Sequence, residues 1–494
     1  MAEIRHACFY NYDEGKQMKM NRRRALVSAL LLASPWLVPG RNFRAGAAET
    51  KKGSGDTVVV IGAGMAGLSA ARRLEAGGYR VIVVEARDRP GGRMWTDYSL
   101  GTAVDLGAAW IHGDSSSNPL MKRVAKYGLT TKATDWDETW LFDIGHGEIE
   151  DESYDAIWRK SESIIERLHE AQSTASSKRS VEDVLLPMLK RLSGDPIVKR
   201  GIEWRLASQI EVEYATNFDQ LALKHWDMDE RFSGDDVIVS GGFQKIVAPM
   251  ADGLNIRYGH IVEKVLHDDA GVKVTTSQGV IEADRVVVTL PLGVLQQERV
   301  QFEPQLPEEK RSSIGRLGMG VMNKIALRFS KPFWPKDACA LGLLNSSTEN
   351  LTEYFPLTPY SGEPVIVGLT RGRHAKSIEK TNKEEAVQQA LSDLRFMFGS
   401  VVPYKAVDSV VTGWYSDEFS HGSYSHIPPG GSFSDYRTLA SPLDKKIFFA
   451  GEATHARYPG TLHGAYLSGE RAAKEIMKQP GGTSAVTENA DSNR

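Results

Sequence analysis

The sequence predicts an α/β fold. A Rossmann-like βαβ domain, discontinuous along the chain, stands beside an α+β domain of mixed sheet plus helices. Three observations predict it. Residues Thr57 to Glu85 read as strand, glycine turn, helix, strand. A second strand–glycine–helix block, Phe448 to Ala472, lies almost 400 residues further on. The stretch between them alternates helix-period segments with strand-rich ones, the pattern of elements that must be layered to bury their apolar faces.

The first block carries the sharpest signal. Val58 to Ile61 is a β-branched run, Gly62, Gly64 and Gly67 give GxGxxG, and Arg80 to Val84 is a second strand ending at Glu85. In such a unit one glycine makes the tight turn, one lets backbone approach a pyrophosphate, and one lets helix pack on strand. The helix N-terminus then presents unpaired N–H groups to the phosphates. A carboxylate about 20 residues on can accept from ribose hydroxyls. The block therefore predicts dinucleotide binding. A second glycine pair, Gly91-Gly92, and then Arg93 follow the acid closely.

The later elements follow in order. Gly101 to Gly113 is rich in small residues and able to run close to a ring system. Tyr154, Ile157, Trp158, Ser161, Ile164, Ile165 and Leu168 share one helix face. Ser180 with Asp183 reads as a capping box,. Asp235 to Val247 reads as strand, glycine turn, helix; Asn255 to Val288 is strand-rich. Ile325 to Phe329 is a strand, Lys383 to Met397 a helix, Lys446 to Ala450 a buried strand, and Gly464 to Met477 the last helix. The expected division is a nucleotide domain from residues 53–130, 226–300 and 440–478, and a second domain from the helical 131–225 and from 301–439. Residues 479–494 read as a disordered tail.

Composition narrows the function. The chain has 494 residues, 41% of them hydrophobic, enough for two or more domains,. A net charge of −3 without a basic stripe argues against a nucleic-acid partner. Two cysteines, Cys8 and Cys339, exclude a disulfide framework and a cysteine-based metal site,; no metal is expected. Asn21-Arg22-Arg23-Arg24, the apolar run Ala25 to Val38 and Ala45-Gly46-Ala47 read as a twin-arginine export signal over residues 1–47,. The apolar run is too short for a permanent span. The expectation is a periplasmic protein with no stable membrane insertion after cleavage. Met18 or Met20 is an alternative start, and the oligomeric state is not legible.

Several segments together resemble the flavin amine oxidase superfamily. They are ARDRPGGR after the first strand pair, DLGAAWIHG (Asp105 to Gly113), GDDVIVSGGF (Gly234 to Phe243), VVVTLPLGVL (Val286 to Leu295), LGMGVMNKIALRF (Leu317 to Phe329), FWP (Phe333 to Pro335), GWYSDEFSHGSYS (Gly413 to Ser425) and the Phe448 to Ala472 block. The likeness runs from Thr57 to Lys478 and is strongest to the polyamine oxidases, including the spermine oxidase and plant back-conversion branches.

The resemblance implies an FAD-binding nucleotide domain and FAD contacts at Gly62, Gly64, Gly67, Glu85, Arg87, Gly92, Arg93, Val262, Trp414, Gly451, Glu452, Thr461 and Leu462. It implies oxidation of a carbon–nitrogen bond of a polyamine or related small amine. Hydride passes to flavin, O2 reoxidises it to H2O2, and the imine hydrolyses to aldehyde plus amine. The resemblance implies that Lys324 holds a water against the flavin; a buried ammonium is costly and its pKa falls, so such a group can orient water for imine hydrolysis or help proton release during reoxidation. Tyr424 and Thr461 are expected to bracket the substrate carbon, the second position lacking the aromatic found in many relatives. Ser423 stands where monoamine oxidases carry the flavin-bonded cysteine, so FAD is expected to be non-covalent. His112 is expected near the substrate as a neutral acceptor.

A polyamine needs carboxylates spaced along its path. Glu211 is the first candidate, Glu213 the second, and Asp114 a mouth residue. The alternative reading is an L-amino-acid oxidase or monoamine oxidase-like flavoenzyme. An amino-acid oxidase needs an arginine for the substrate carboxylate, for which Arg205 and Arg371 are the available residues.

Overall fold

A computed structural model describes residues 55–345 and 352–479. The export-signal reading of residues 1–47 and the tail reading beyond residue 479 lie outside the described residues. The first strand, Thr57–Ile61, sits at the centre of a five-stranded parallel sheet. The strand order is Ile447–Phe449, Arg285–Val288, Thr57–Ile61, Arg80–Val84, Ile256–Arg257. Three distant stretches of chain thus meet in one sheet. The centre strand is apolar at consecutive positions because both faces are covered. Val58 and Val60 pack into one core cluster, Val59 and Ile61 into the other.

Helix Met65–Ala76 follows the glycine turn and lies against the last helix, Leu462–Met477. Ser69 Oγ donates to Tyr466 O at 2.8 Å. A Cβ on Gly469 would stand 2.2 Å from Ala66 O, so only glycine admits this approach. The last helix begins two residues before the expected Gly464, because Thr461 accepts from Gly464 N at 2.9 Å and caps it,. A four-stranded sheet (Gly279–Ala283, Gly271–Thr276, Val262–Asp268, Gln301–Glu303) takes up most of the strand-rich stretch.

A seven-stranded mixed sheet follows. Its order is Asp408–Val411, Met322–Arg328, Val365–Arg371, Thr352–Pro356, Ala340–Leu344, Thr139–Asp143, Gly147–Glu148. Helices Asp151–Gln172, Glu182–Lys190 and Pro196–Leu206 share one apolar cluster with Ala326, Ala340, Val365, Val367 and Leu369 of this sheet. Helix Lys383–Phe398 packs on residues of the opposite parity, Ile325, Leu327 and Leu341 among them. The Ser180–Asp183 capping box forms: Ser180 N donates to Asp183 Oδ2 at 2.9 Å and Asp183 N to Ser180 Oγ at 3.2 Å. Helix Pro196–Leu206 runs on into a π-helical turn, Ala207–Val212. No sequence pattern announced that turn, which contains Glu211 and ends at Glu213.

Candidate active site

The glycine turn explains itself sterically. A Cβ on Gly67 would stand 1.9 Å from Gly62 O, so the helix can start against the turn only with glycine there. Gly62 N donates to Val84 O at 2.7 Å, and Gly91 N to Ala63 O at 2.8 Å, which brings the second glycine pair beside the first. Gly92 lies with Gly64 Cα 3.5 Å from its own Cβ position. Glu85, 6% exposed, accepts from Ala63 N at 2.7 Å and Arg87 N at 2.9 Å, while burial pushes its carboxyl up. Arg87 makes a two-pronged pair with Asp417 at 2.9 and 2.6 Å.

The two glycine blocks are joined directly. Arg93 Nη1 donates to Glu452 Oε1 at 2.8 Å and to Ser423 O at 2.8 Å, across 359 residues of sequence in the first case. Glu452 Oε2 accepts from Ser425 Oγ at 2.6 Å and Gly460 N at 3.1 Å. The residues present fit a long polar cofactor. Helix Met65–Ala76 has no side-chain cap, a Cβ on Gly64 would meet nothing closer than Gly91 O at 3.9 Å, and a Cβ on Gly451 would meet nothing within 4 Å. Backbone at both blocks is therefore open to a ligand. Of the other expected contacts, Val262 starts a strand and is buried in the core beside the sheet. Leu462 opens the last helix. Trp414, buried, donates from Nε1 to Leu106 O at 3.1 Å.

Lys324 lies on strand Met322–Arg328 and is 5% exposed. Its Nζ donates to Asp105 O and to Gly107 O, both at 2.7 Å, and sits 5.9 Å from the Trp110 ring centre. Burial lowers its pKa to about 8 against the opposing pull of Asp105. An ammonium has three N–H groups; two hold the Asp105–Gly107 backbone, which leaves one for a water or a ligand. Gly107 in turn rests on Arg93, where a Cβ would stand 1.7 Å from Arg93 O.

From Lys324 an aromatic wall leads to a cluster of acids. Trp110 packs 6.0 Å from Trp136, whose Nε1 donates to Asp236 Oδ2 at 3.1 Å. Asp236 Oδ1 pairs with His112 Nδ1 at 2.9 Å. Glu213, Asp229 and Asp227 complete the group. Burial pushes Glu213 up to about 8; His112 pulls it down, and Asp229, Asp236 and Asp227 push it further up. Burial and Asp227 push Asp229 up to about 6. Arg231 pairs with Asp227 at 3.0 Å and approaches Glu213 at 3.7 Å. Tyr214 donates to Asp229 at 3.1 Å. Tyr424 bridges this cluster and the clasp: its OH donates to Val212 O at 2.8 Å, while its neighbours Ser423 and Ser425 bond Arg93 and Glu452.

Three expected residues are engaged in ways the sequence did not show. At His112, burial pulls the pKa down, but Asp236, together with Glu213 and Asp229, raises it to about 9. Glu211 is already committed: its Oε2 takes Arg371, and its Oε1 takes Phe218 N at 3.0 Å and Asn217 Nδ2 at 3.2 Å. Glu211 lies within the π-helical turn and faces inward, while Glu213, which follows it, belongs to the cluster. Thr461 gives its hydroxyl to Tyr458 O at 2.9 Å and to the helix cap. Asp114 accepts from Asp235 N at 3.2 Å beside the cluster's approach. Arg205 pairs with Glu162 and Arg371 with Glu211, so both arginines of the amino-acid oxidase reading are engaged internally.

Sequence reasoning missed Asp229, Asp236, Arg231, Trp136 and His463. His463, 3% exposed, packs edge-on to Phe232 at 5.1 Å and Tyr458 at 5.0 Å; burial, with His112 and His455, drives its pKa down to about 3. The available signal was acidic density: Asp227, Asp229, Glu230, Asp235 and Asp236 fall within ten residues.

Residues 65–477 match the family model for flavin-containing amine oxidoreductases. The chain is 35% identical over 443 residues to polyamine oxidase 2 of Arabidopsis thaliana, covering 87% of this chain and 89% of that protein. It is 36% identical to polyamine oxidase 3 of Oryza sativa subsp. japonica over 442 residues, covering 86% and 90%. It is also 35% identical to lysine-specific histone demethylase 1 homolog 2 of Arabidopsis thaliana, covering 86% of this chain but 59% of that one. A solved putrescine oxidase triple mutant superposes with a TM-score of 0.69 at 21% identity, covering 85% of this chain and 98% of that one, a likeness of fold.

Proposed function

The chain belongs to the flavin-containing amine oxidoreductases, and from that premise we propose that its substrate is a polyamine, drawn in by the Glu213–Asp229–Asp236 cluster and oxidised at a carbon–nitrogen bond. FAD-dependent oxidation of a small amine, with O2 as co-substrate, is common ground for the family; the polyamine and the residue roles are the reading added here. The polyamine oxidases of Arabidopsis and rice among its relatives support it.

The observation that carries the reading is electrostatic. Glu213, Asp227, Asp229 and Asp236 crowd together; burial, with Asp229, Asp236 and Asp227, pushes Glu213 up, and burial with Asp227 pushes Asp229 up. A chain of ammonium groups relieves that crowding and gains charge-assisted hydrogen bonds. Once a polycation binds, His112 has less reason to keep its proton, and the released imidazole can accept from an amine N–H. Bound FAD supplies the electron-pair acceptor for the carbon–nitrogen bond. Gly62, Gly64, Gly67, Gly92 and Gly451 would give it close backbone, Glu85 a ribose acceptor, and Arg93 with Glu452 the polar clamp. Lys324 holds the third of its N–H groups for a water, positioned for imine hydrolysis or for proton movement during reoxidation. Tyr424 walls the substrate side. Ser423, with its hydroxyl bonded to Met322 backbone, offers no thiol, which supports non-covalent FAD; yellow colour remaining in an acid-precipitated pellet would contradict that.

Peroxide release from spermine, spermidine, acetylated polyamines, tyramine and amino acids tests the substrate. A polyamine is expected to give the highest kcat/KM; tyramine or an amino acid in first place sinks the reading. We further propose periplasmic export on the Arg22-Arg23 pattern and division into the two domains expected from sequence. Protein from the native host retaining residues 1–47 would count against export.

A further inference from the structure

We propose that Glu211 and Arg371 are positioning residues: their buried ion pair is a strut that holds the π-helical turn Ala207–Val212, and so sets where Glu213 and Tyr424 stand relative to Lys324. The inference rests on the polyamine reading above, because Glu213 is its cation-binding carboxylate.

The geometry is continuous. Arg371 ends strand Val365–Arg371, opposite Met322 on the lysine's strand; Lys324 itself pairs with Leu369. Glu211 sits in the π-helical turn, 3% exposed, and Arg371 is 1% exposed. The pair does not stand alone. Asn217 gives its Nδ2 to Glu211 Oε1 at 3.2 Å and takes Arg373 N on Oδ1 at 3.0 Å, so it ties the turn to the residues just after the strand. Val321 N donates to Ala215 O, and Gly372 N to Val321 O, both at 2.8 Å. Three links, one ionic and two of hydrogen bonds, therefore fasten the 207–217 segment to the end of strand Val365–Arg371 and to Val321, just before the lysine strand. The segment carries two things the site needs. Val212 O receives the Tyr424 hydroxyl at 2.8 Å, and Glu213 follows directly.

Two alternatives for the pair are weaker. As a folding element alone it is costly, since burying two charges forfeits hydration that apolar residues would not lose. As a substrate site it is closed, because both Glu211 oxygens are bonded within the protein. π-Helical turns collect at functional sites because the extra residue re-aims neighbouring side chains. Here adjacent odd positions point apart, Glu211 to the strut and Glu213 to the acid cluster.

A positioning role predicts loss of discrimination, not only loss of stability. The holoenzyme is titrated with 1,8-diaminooctane and with octylamine, equal in length and different by one ammonium, and each Kd is read from the perturbed flavin spectrum. In the wild type the diamine is expected to bind more tightly, and Glu213→Gln to reduce that ratio by about tenfold. Glu211→Gln, an isosteric change, is expected to reduce the ratio by about as much and to add little further in the Glu213→Gln background, since both act on one carboxylate. Asn217→Ala, which weakens the strut without removing a charge, should reduce it by a smaller factor and serves if Glu211→Gln does not fold. A ratio unchanged by both strut variants, while Glu213→Gln lowers it, overturns the strut and leaves the polyamine reading standing. A ratio indifferent to Glu213→Gln overturns the polyamine reading and the strut's role with it.

Discussion

The clasp around Arg93 and Glu452 and the acid cluster around His112 are neighbours joined by Tyr424, yet they are built on opposite plans. In the clasp, charge is matched and backbone does the work: Arg93 meets Glu452 at 2.8 Å, Arg87 meets Asp417, and glycines let main chain approach main chain. In the cluster, buried carboxylates are crowded, and burial with neighbouring acids pushes Glu213 up to about 8 and Asp229 up to about 6. The first arrangement suits a partner held permanently; the second suits the exchanging cation proposed above. The contrast teaches that cofactor and substrate ends of a site can be told apart by how completely their polar groups are compensated within the protein.

The comparison can be broken most severely at the clasp. Gly67→Ala puts a methyl 1.9 Å from Gly62 O and should abolish bound flavin, seen as loss of visible absorbance in the purified protein; a fully yellow variant overturns the steric account. Lys324→Met should keep the flavin and slow turnover about a hundredfold, the scale of a lost proton-handling group. Stopped-flow rates of flavin reduction and reoxidation will show which half-reaction suffers, and wild-type rates in both remove Lys324 from the chemistry. Glu213→Gln belongs to the cluster and should raise KM for a polyamine about tenfold, since it removes a charged hydrogen-bond partner worth about 1–3 kcal/mol, with kcat changed less.

The smallest effect is on stability. The folded pKa of His112 lies above its ordinary value of 6.5, burial opposing and Asp236 raising it to about 9. Its stabilising contribution is therefore fully present below about pH 6.5 and lost as pH rises through about 9. The Tm difference between wild type and His112→Asn should shrink across that window. A difference that grows with pH contradicts the His112–Asp236 assignment.

Legibility in the sequence followed the same divide. The glycine turn, its flanking strands and Glu85 could be read because every constraint acts within thirty residues, through turn, helix cap and strand period. The three-part sheet was legible because strands buried on both faces are apolar at consecutive positions, as in Val58 to Ile61 and Val286 to Val288. The cluster resisted. Glu211 is taken up by Arg371, 160 residues away. The charge state of His112 depends on Asp236, 124 residues away. No local pattern encodes either partner. The cap at Thr461 is local, yet the sequence pattern puts the start of helix Leu462–Met477 two residues late.

The contact at Gly469 has a consequence for how the molecule is made. Helix Met65–Ala76 finds its neighbour only when the final few dozen residues have emerged, and the parallel sheet lacks its Ile447–Phe449 edge until then. Closing so long a loop is slow. A nascent chain must therefore keep an unfinished nucleotide pocket waiting through nearly all of its synthesis, and a message truncated before codon 447 yields a polypeptide with nothing to shut around the coenzyme.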